Sequence, residues 1–90
     1  MAAAAFLQSL PECTGRIGVV GFCYGGLVAN LLATRLPELA AAVPFYGGQP
    51  PTADVARIRA PLQIHYAEHD PRVNAGWPAY EAALKAAGIR

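Results

Sequence analysis

Residues 21 to 26 read Gly-Phe-Cys-Tyr-Gly-Gly, a glycine-crowded turn that separates a β-forming run from a helix-forming one. Ahead of it, Ile17-Gly18-Val19-Val20 is a short apolar run bounded by Gly15 and Gly21. It lacks the alternation of a half-exposed strand and suits a central strand buried on both faces. Behind the turn, Leu27, Leu31, Leu32 and Leu36 recur at helical spacing, with Pro37 beyond them as a stop signal. A small-x-nucleophile-x-small turn between strand and helix has a physical rationale. The central residue is held in a strained backbone conformation at the top of the sheet, where bulky neighbours two residues away would clash. Here that residue is Cys23, with Gly21 and Gly25 supplying the room. The backbone N–H of Tyr24 is then placed to donate to an oxyanion, and the helix N-terminus favours a thiolate at Cys23. The competing reading of Cys23 is a small buried hydrophobe in a turn.

The remaining segments continue the alternation. Residues 2 to 10 read as the tail of a helix that ends at Pro11. Residues 41 to 46 read as a second strand ended by Gly47-Gly48, although Pro44 within it removes a ladder donor. Residues 49 to 59 form a proline-containing loop with one short helix around 53 to 57. Residues 62 to 66 are a third strand, 67 to 74 a loop, and 79 to 87 a final helix with Gly88 as its C-cap. This order implies an α/β fold, with parallel strands alternating with helices and joined by right-handed crossovers. Chemistry in such sheets sits at the carboxyl ends of the strands, which here carry Cys23, Tyr46 and Asp70.

Composition narrows the classes. At 90 residues, with 54% hydrophobic and 14% charged residues, the chain is one globular domain or part of one, with a marginal core. A formal net charge of +1 is too small to imply nucleic acid or an anionic membrane as partner. Cys13 and Cys23 are too few for a disulfide scaffold, and a reducing, cytoplasmic compartment fits them; Cys13, between Glu12 and Thr14, reads as incidental. The N-terminal apolar run lacks the basic flank of a signal peptide and is cut by Gln8 and Ser9. The uncharged stretch from 17 to 34, with Gly21-x-x-x-Gly25, raises a membrane span as an alternative. The glycine cluster in its middle favours two elements and a turn instead. A nucleotide-binding turn is a further alternative. The spacing Gly18-x-x-Gly21-x-x-x-Gly25-Gly26 is not Gly-x-Gly-x-x-Gly, however, and the next strand ends in Tyr46-Gly47-Gly48 without an acidic residue.

The segment from Arg16 to Gly26 resembles the dienelactone hydrolase family of α/β-hydrolases. So do Phe45-Tyr46-Gly47-Gly48 and the segment from Pro61 to Asp70, in the same order. The resemblance implies a partial α/β-hydrolase domain over residues 1–90. It further implies a Cys-Asp-His triad in that chain order, with Cys23 as nucleophile and Asp70 as the acid that orients a histidine. An ordinary Asp-Pro turn is the competing reading of Asp70. Tyr46 is a candidate pocket residue, with plain packing as its alternative. The implied reaction is attack of the Cys23 thiolate on a lactone or ester carbonyl of a small molecule, followed by histidine-assisted hydrolysis of the acyl-enzyme. No metal or organic cofactor is required.

The chain departs from the family pattern in several respects. The family's histidine follows one more strand, some thirty residues after the aspartate, and no histidine stands in that position here. The first strands, the second oxyanion donor and the residues that hold the substrate carboxylate are also expected to lie outside this sequence. His65, within the apolar third strand, is expected to pack there, and His69 abuts Asp70, whereas a base belongs across the site beside the nucleophile. The isolated chain is therefore expected to show little turnover, and a catalytically inactive module of the same fold is the alternative function. An incomplete parallel sheet leaves open edges and a bare apolar face, which favours self-association.

Overall fold

The computed structural model of the chain describes residues 2–36 and 38–89. β1 (Gly18–Phe22) runs parallel to β2 (Ala41–Phe45), in a register that pairs Gly18 with Ala41 and Phe22 with Phe45. Because parallel neighbours need a crossover, the chain between them forms a helix, α2 (Tyr24–Arg35), which lies on one face of the pair. α1 (Ala2–Ser9) precedes the sheet and leaves Phe6 and Leu7 exposed. Pro37, the expected stop signal for α2, lies outside the described residues. Among the described residues, no helix is long and apolar enough to cross a membrane. The uncharged stretch from 17 to 34 is instead strand, turn and helix.

The expected third strand is present only as two isolated parallel bridges, Ala42 to Leu62 and Phe45 to His65. Pro44 explains the interruption. Ala42 N–H donates to Pro61 C=O, Gln63 N–H to Ala42 C=O, His65 N–H to Pro44 C=O and Tyr46 N–H to His65 C=O. The rung missing from this series is the one Pro44 would donate to Gln63, because proline has no N–H. The segment from 61 to 66 therefore runs alongside β2 in strand fashion with a gap in its ladder.

The core sits on the α2 side of the sheet. Ala33, Ala42, Val55, Ile58, Tyr80 and Leu84 are its buried members, with Val19, Leu62 and Ile64 packed against them. Val55 comes from a 3₁₀ helix (Thr52–Arg57), where a short helix is expected from the sequence. The leucines of α2 are not its buried face. Gly26, Ala29, Asn30, Ala33 and Thr34 are buried, whereas Leu27, Leu31, Leu32 and Leu36 are only half-buried. Small residues win because α2 approaches the sheet too closely for leucine: a Cβ on Gly26 would lie 3.0 Å from Gly47 Cα and collide with Phe45 C=O.

Within this chain β1 is covered on one face only: Val20 and Phe22 are 58% and 56% exposed, because no described element covers the face opposite α2. A continuous apolar run shows that both faces suit burial, and the cover for the second is not among the described residues.

Beyond the sheet, the loop expected from 67 to 74 contains a four-residue helix, α3 (Pro71–Asn74). Asp70 starts it: its carboxylate accepts from Val73 N–H at 3.3 Å, and Pro71 sets the first helical φ. α4 (Trp77–Ala86) begins two residues ahead of its expected start and ends where Gly88 adopts φ 71°. Gly88 N–H donates to Lys85 C=O and Ile89 N–H to Leu84 C=O, the paired bonds of a glycine-terminated helix. α4 is tied to α2 by a buried polar chain. Tyr80 O–H donates to Asn30 Oδ1 at 2.7 Å, and Asn30 Nδ2 donates to Gly48 C=O at 2.9 Å.

Two sets of variants test these contacts. Gly26→Ala should destabilise the chain by about 2 kcal/mol or more through backbone overlap. Gly25→Ala should change stability by less than about 1 kcal/mol, since open space surrounds that position; denaturant midpoints measure both. The Tyr80 hydroxyl is pushed well above the ordinary tyrosine value, first by burial and then by the nearby Tyr66. A group that holds its proton more tightly when folded contributes stability that is complete below its unfolded value, about pH 10, and is lost as pH rises further. Thermal midpoints should therefore fall above that pH. Tyr80→Phe should flatten the fall and cost about 1–3 kcal/mol at neutral pH, because Asn30 Oδ1 is left buried without its donor.

Candidate active site

β1 runs out of its pairing at Phe22, and the next residue turns the chain into α2. Cys23 takes φ 59° and ψ −118°, a positive-φ conformation that non-glycine residues rarely adopt. The turn is held from both sides. Cys23 N–H donates to Phe45 C=O at 3.0 Å, tying it to the end of β2. Cys23 C=O accepts from Gly26 N–H at 2.9 Å and Leu27 N–H at 3.3 Å, starting the helix.

The glycines divide their work differently from the simple motif. A Cβ on Gly21 would overlap the Gly25 carbonyl, so Gly21 carries the steric constraint, whereas Gly25 itself has open space around its missing Cβ. The second constrained position is Gly26, against Phe45 and Gly47. That space is filled by the protein's own backbone.

Cys23 is exposed and carries a free thiol. It opens onto a cavity of about 340 Å³. The elbow contributes Cys23, Tyr24 and Leu27 to its walls, the loop after β2 contributes residues 46 to 49, and α3 contributes Arg72 and Val73. The Tyr24 backbone N–H is not taken up by any hydrogen bond among the described residues. Tyr46, the sequence candidate for the pocket, lines it from a second positive-φ position, φ 35°.

Asp70 is not among the cavity-lining residues. It heads α3, whose next turn reaches the cavity, with one carboxylate oxygen engaged by Val73 N–H and the other free of hydrogen bonds among the described residues. Both histidines lie away from the cavity. His65 projects from the open face of the sheet, stacked on Phe45 with ring centroids 4.4 Å apart. His69 is almost fully exposed, with Nε2 3.6 Å from a Glu68 carboxylate oxygen.

Two residues that the sequence reading passes over shape this cavity. Gln49 joins its two sides: Nε2 donates to the Tyr66 hydroxyl at 3.0 Å and to Val73 C=O at 2.8 Å. A Cβ at Gly76 would overlap the Gln49 amide, so that glycine is needed for the link. Burial raises the Tyr66 hydroxyl pKa, and the Gln49 bond partly opposes the shift. Arg72 is the cationic side chain of the cavity wall. Its position directly after Asp70-Pro71 was the available signal, since the short helix that Asp70 caps carries the following residues to the cavity.

Cys23 thus stands in a positive-φ turn at the mouth of a cavity, with Asp70 at the head of the helix that follows the third strand segment. Residues 1–90 match the Dienelactone hydrolase family. The chain belongs to the dienelactone hydrolase family. A carboxymethylenebutenolidase homolog of Rattus norvegicus is 40% identical over 55 residues, covering 61% of this chain and 22% of that protein. A putative carboxymethylenebutenolidase of Saccharolobus solfataricus is 39% identical over 70 residues, covering 77% of this chain and 27% of that protein. Among solved structures, a dienelactone hydrolase-like promiscuous phosphotriesterase from metagenomic libraries superposes with a TM-score of 0.86 at 28% identity. That superposition covers 98% of this chain and 38% of the other. The chain thus spans about a quarter to two-fifths of the relatives it matches, and carries the dienelactone hydrolase α/β fold over that span.

Arg72 makes the cavity's electrostatics measurable. Arg72→Gln should slow alkylation of Cys23 by anionic iodoacetate by roughly two- to fivefold at low ionic strength, and should leave neutral iodoacetamide almost unaffected. Equal slowing of both reagents would place the effect in packing rather than charge.

Proposed function

We propose that this chain carries the nucleophile and acid segment of a hydrolase that cleaves esters or lactones of small molecules, with Cys23 attacking the carbonyl carbon. The observation that carries the reading is the backbone of Cys23, held at φ 59° between β1 and α2 and facing a cavity. Strain of this kind persists only where surrounding structure over-determines it, as the bonds to Phe45, Gly26 and Leu27 do here.

The chemistry follows from the donors present. The Cys23 thiolate adds to the carbonyl, and the charge that moves to oxygen is met by the Tyr24 N–H at the start of α2. Collapse of the tetrahedral species breaks the C–O bond, expels the alkoxide side and leaves a thioester on Cys23. Hydrolysis of that thioester needs a base to take a proton from water. Asp70 would orient the histidine that serves as that base and stabilise its protonated form through its unengaged oxygen. His65 and His69 are both directed elsewhere, so this histidine is assigned to sequence beyond these residues. Tyr46 would shape the substrate pocket. A reducing, cytoplasmic setting suits an unpaired nucleophilic thiol.

Acyl transfer separates from turnover in this chain. An activated ester such as p-nitrophenyl acetate should acylate Cys23 once, giving a burst of about one equivalent per chain and a slow steady state. Mass spectrometry should place the acetyl group on Cys23 and not on Cys13, and Cys23→Ala should remove the burst. Acylation of both cysteines at equal rates would overturn the assignment of the nucleophile. Rapid turnover by the isolated chain would overturn the assignment of the base to residues outside it. Asp70→Asn should leave the burst unchanged, because the acid acts only through the histidine.

A further inference from the structure

At the end of α2 remote from the elbow, three arginines gather around one space. α2 has 12 residues, so Arg35 in its last turn stands about 16–18 Å along the helix from Cys23. The chain leaving the 3₁₀ helix is extended at Ile58, where successive side chains point to opposite sides. Ile58 and Ala60 turn into the core, which sends Arg57 and Arg59 outward together. With Thr34 and Arg35 they line a cavity of about 530 Å³. Three of the chain's seven Lys and Arg residues thus share one cavity, although the net charge is only +1. Compensation is slight. Arg57 Nη1 lies 3.9 Å from Asp54 Oδ1, an exposed pair of the kind that contributes little. Arg35 and Arg59 make no ion pair among the described residues. The carbonyls that end α2 carry about half a negative charge, which Arg35 alone would offset.

We propose that this cavity binds the diphosphate group of a small soluble ligand, at a site separate from the one Cys23 serves. A carboxylate is satisfied by the planar fork of one guanidinium. A diphosphate offers oxygens in several directions and can engage three forks at once. Seated between the arginines, it also replaces their mutual repulsion with attraction. Charge has to carry the binding, because the Thr34 hydroxyl already donates to Leu31 C=O at 2.7 Å. The volume suits a small molecule, and a nearly neutral chain has no long-range field to draw in a nucleic acid. None of the four lining residues is aromatic, so no base can stack and the phosphates themselves are what is recognised. The walls come from the end of α2 and from the turn after the 3₁₀ helix, on the side of the sheet that α2 covers. The cavity therefore owes nothing to the uncovered face.

Titration of the full chain with inorganic pyrophosphate at low salt, followed by calorimetry and amide NMR, tests the proposal. The expected result is saturable binding at one site with Kd on the order of 0.1–1 mM. Resonances of Thr34, Arg35, Arg57 and Arg59 should shift, and those around Cys23 and Arg72 should not. This readout uses the unaltered chain and does not depend on any variant folding. Arg57→Gln and Arg59→Gln should each weaken binding by about fivefold or more, whereas Arg72→Gln should leave it unchanged. Raising the salt concentration tenfold should weaken it by about threefold or more. ADP should match pyrophosphate to within about twofold, and citrate, of similar charge, should bind about tenfold or more weakly. Citrate binding as tightly would make the cavity a general anion patch and overturn the assignment. So would ADP binding about tenfold tighter than pyrophosphate, since the nucleoside would then be read. Shifts centred on Arg72, binding indifferent to Arg57→Gln and Arg59→Gln, or no binding by about 10 mM pyrophosphate would defeat it as well. No arm of the test involves the Cys23 thiol, so the hydrolase proposal stands or falls separately.

Discussion

The first turn of α2 rests directly on the backbone at the end of β2, and most of what matters in this chain follows from that contact. Gly26 and Gly47 meet without side chains between them, beside the Phe45 carbonyl. The same carbonyl accepts the Cys23 N–H, so one strand end both seats the helix and anchors the strained residue ahead of it. With α2 drawn this close, its buried face has to be small, which accounts for the run of Gly26, Ala29, Asn30 and Ala33. Asn30 on that face then links the helix to Gly48 on one side and Tyr80 on the other. Elbow, cavity wall and core are thus set by one backbone-to-backbone approach.

The order of elements was legible because each left a local chemical mark. Glycines 21 to 26 showed where strand becomes helix, Gly88 showed where α4 stops, and Pro44 warned of a broken ladder in the place where one occurs. Periodicity was less informative about which face is covered. The leucines of α2 keep helical spacing but lie half-buried, because spacing records that a face is apolar and not how near its neighbour comes. The uninterrupted apolar run of β1 likewise suits cover on two sides, of which the described residues supply one. Asp70-Pro71 read as the start of a loop turn and proved to cap a short helix, a difference that one 3.3 Å bond to Val73 creates.

At the site, motif residues were easier to find than the residues that position them. Cys23, Tyr24 and Tyr46 carry sequence signatures and all reach the cavity. Gln49 has no signature, since its importance comes from spanning Tyr66 and Val73, which are 17 and 24 residues away in the chain. Long-range pairings of this kind depend on how close the folded segments come, and no local pattern encodes them.

The gap that Pro44 leaves has a consequence for motion. β1, β2 and α2 are bound to one another by an uninterrupted ladder and a close-packed helix, whereas the segment from 61 to 66 is joined to β2 across a seam short of one rung. Local opening takes the route with the fewest bonds to break. The seam should therefore yield before the elbow does, carrying the turn that holds Asp70 outward while Cys23 stays anchored to Phe45. Amide protection would then divide the chain into a slow-exchanging half around Cys23 and a faster-exchanging half around Asp70, with the Gln49 amide as the clasp between them.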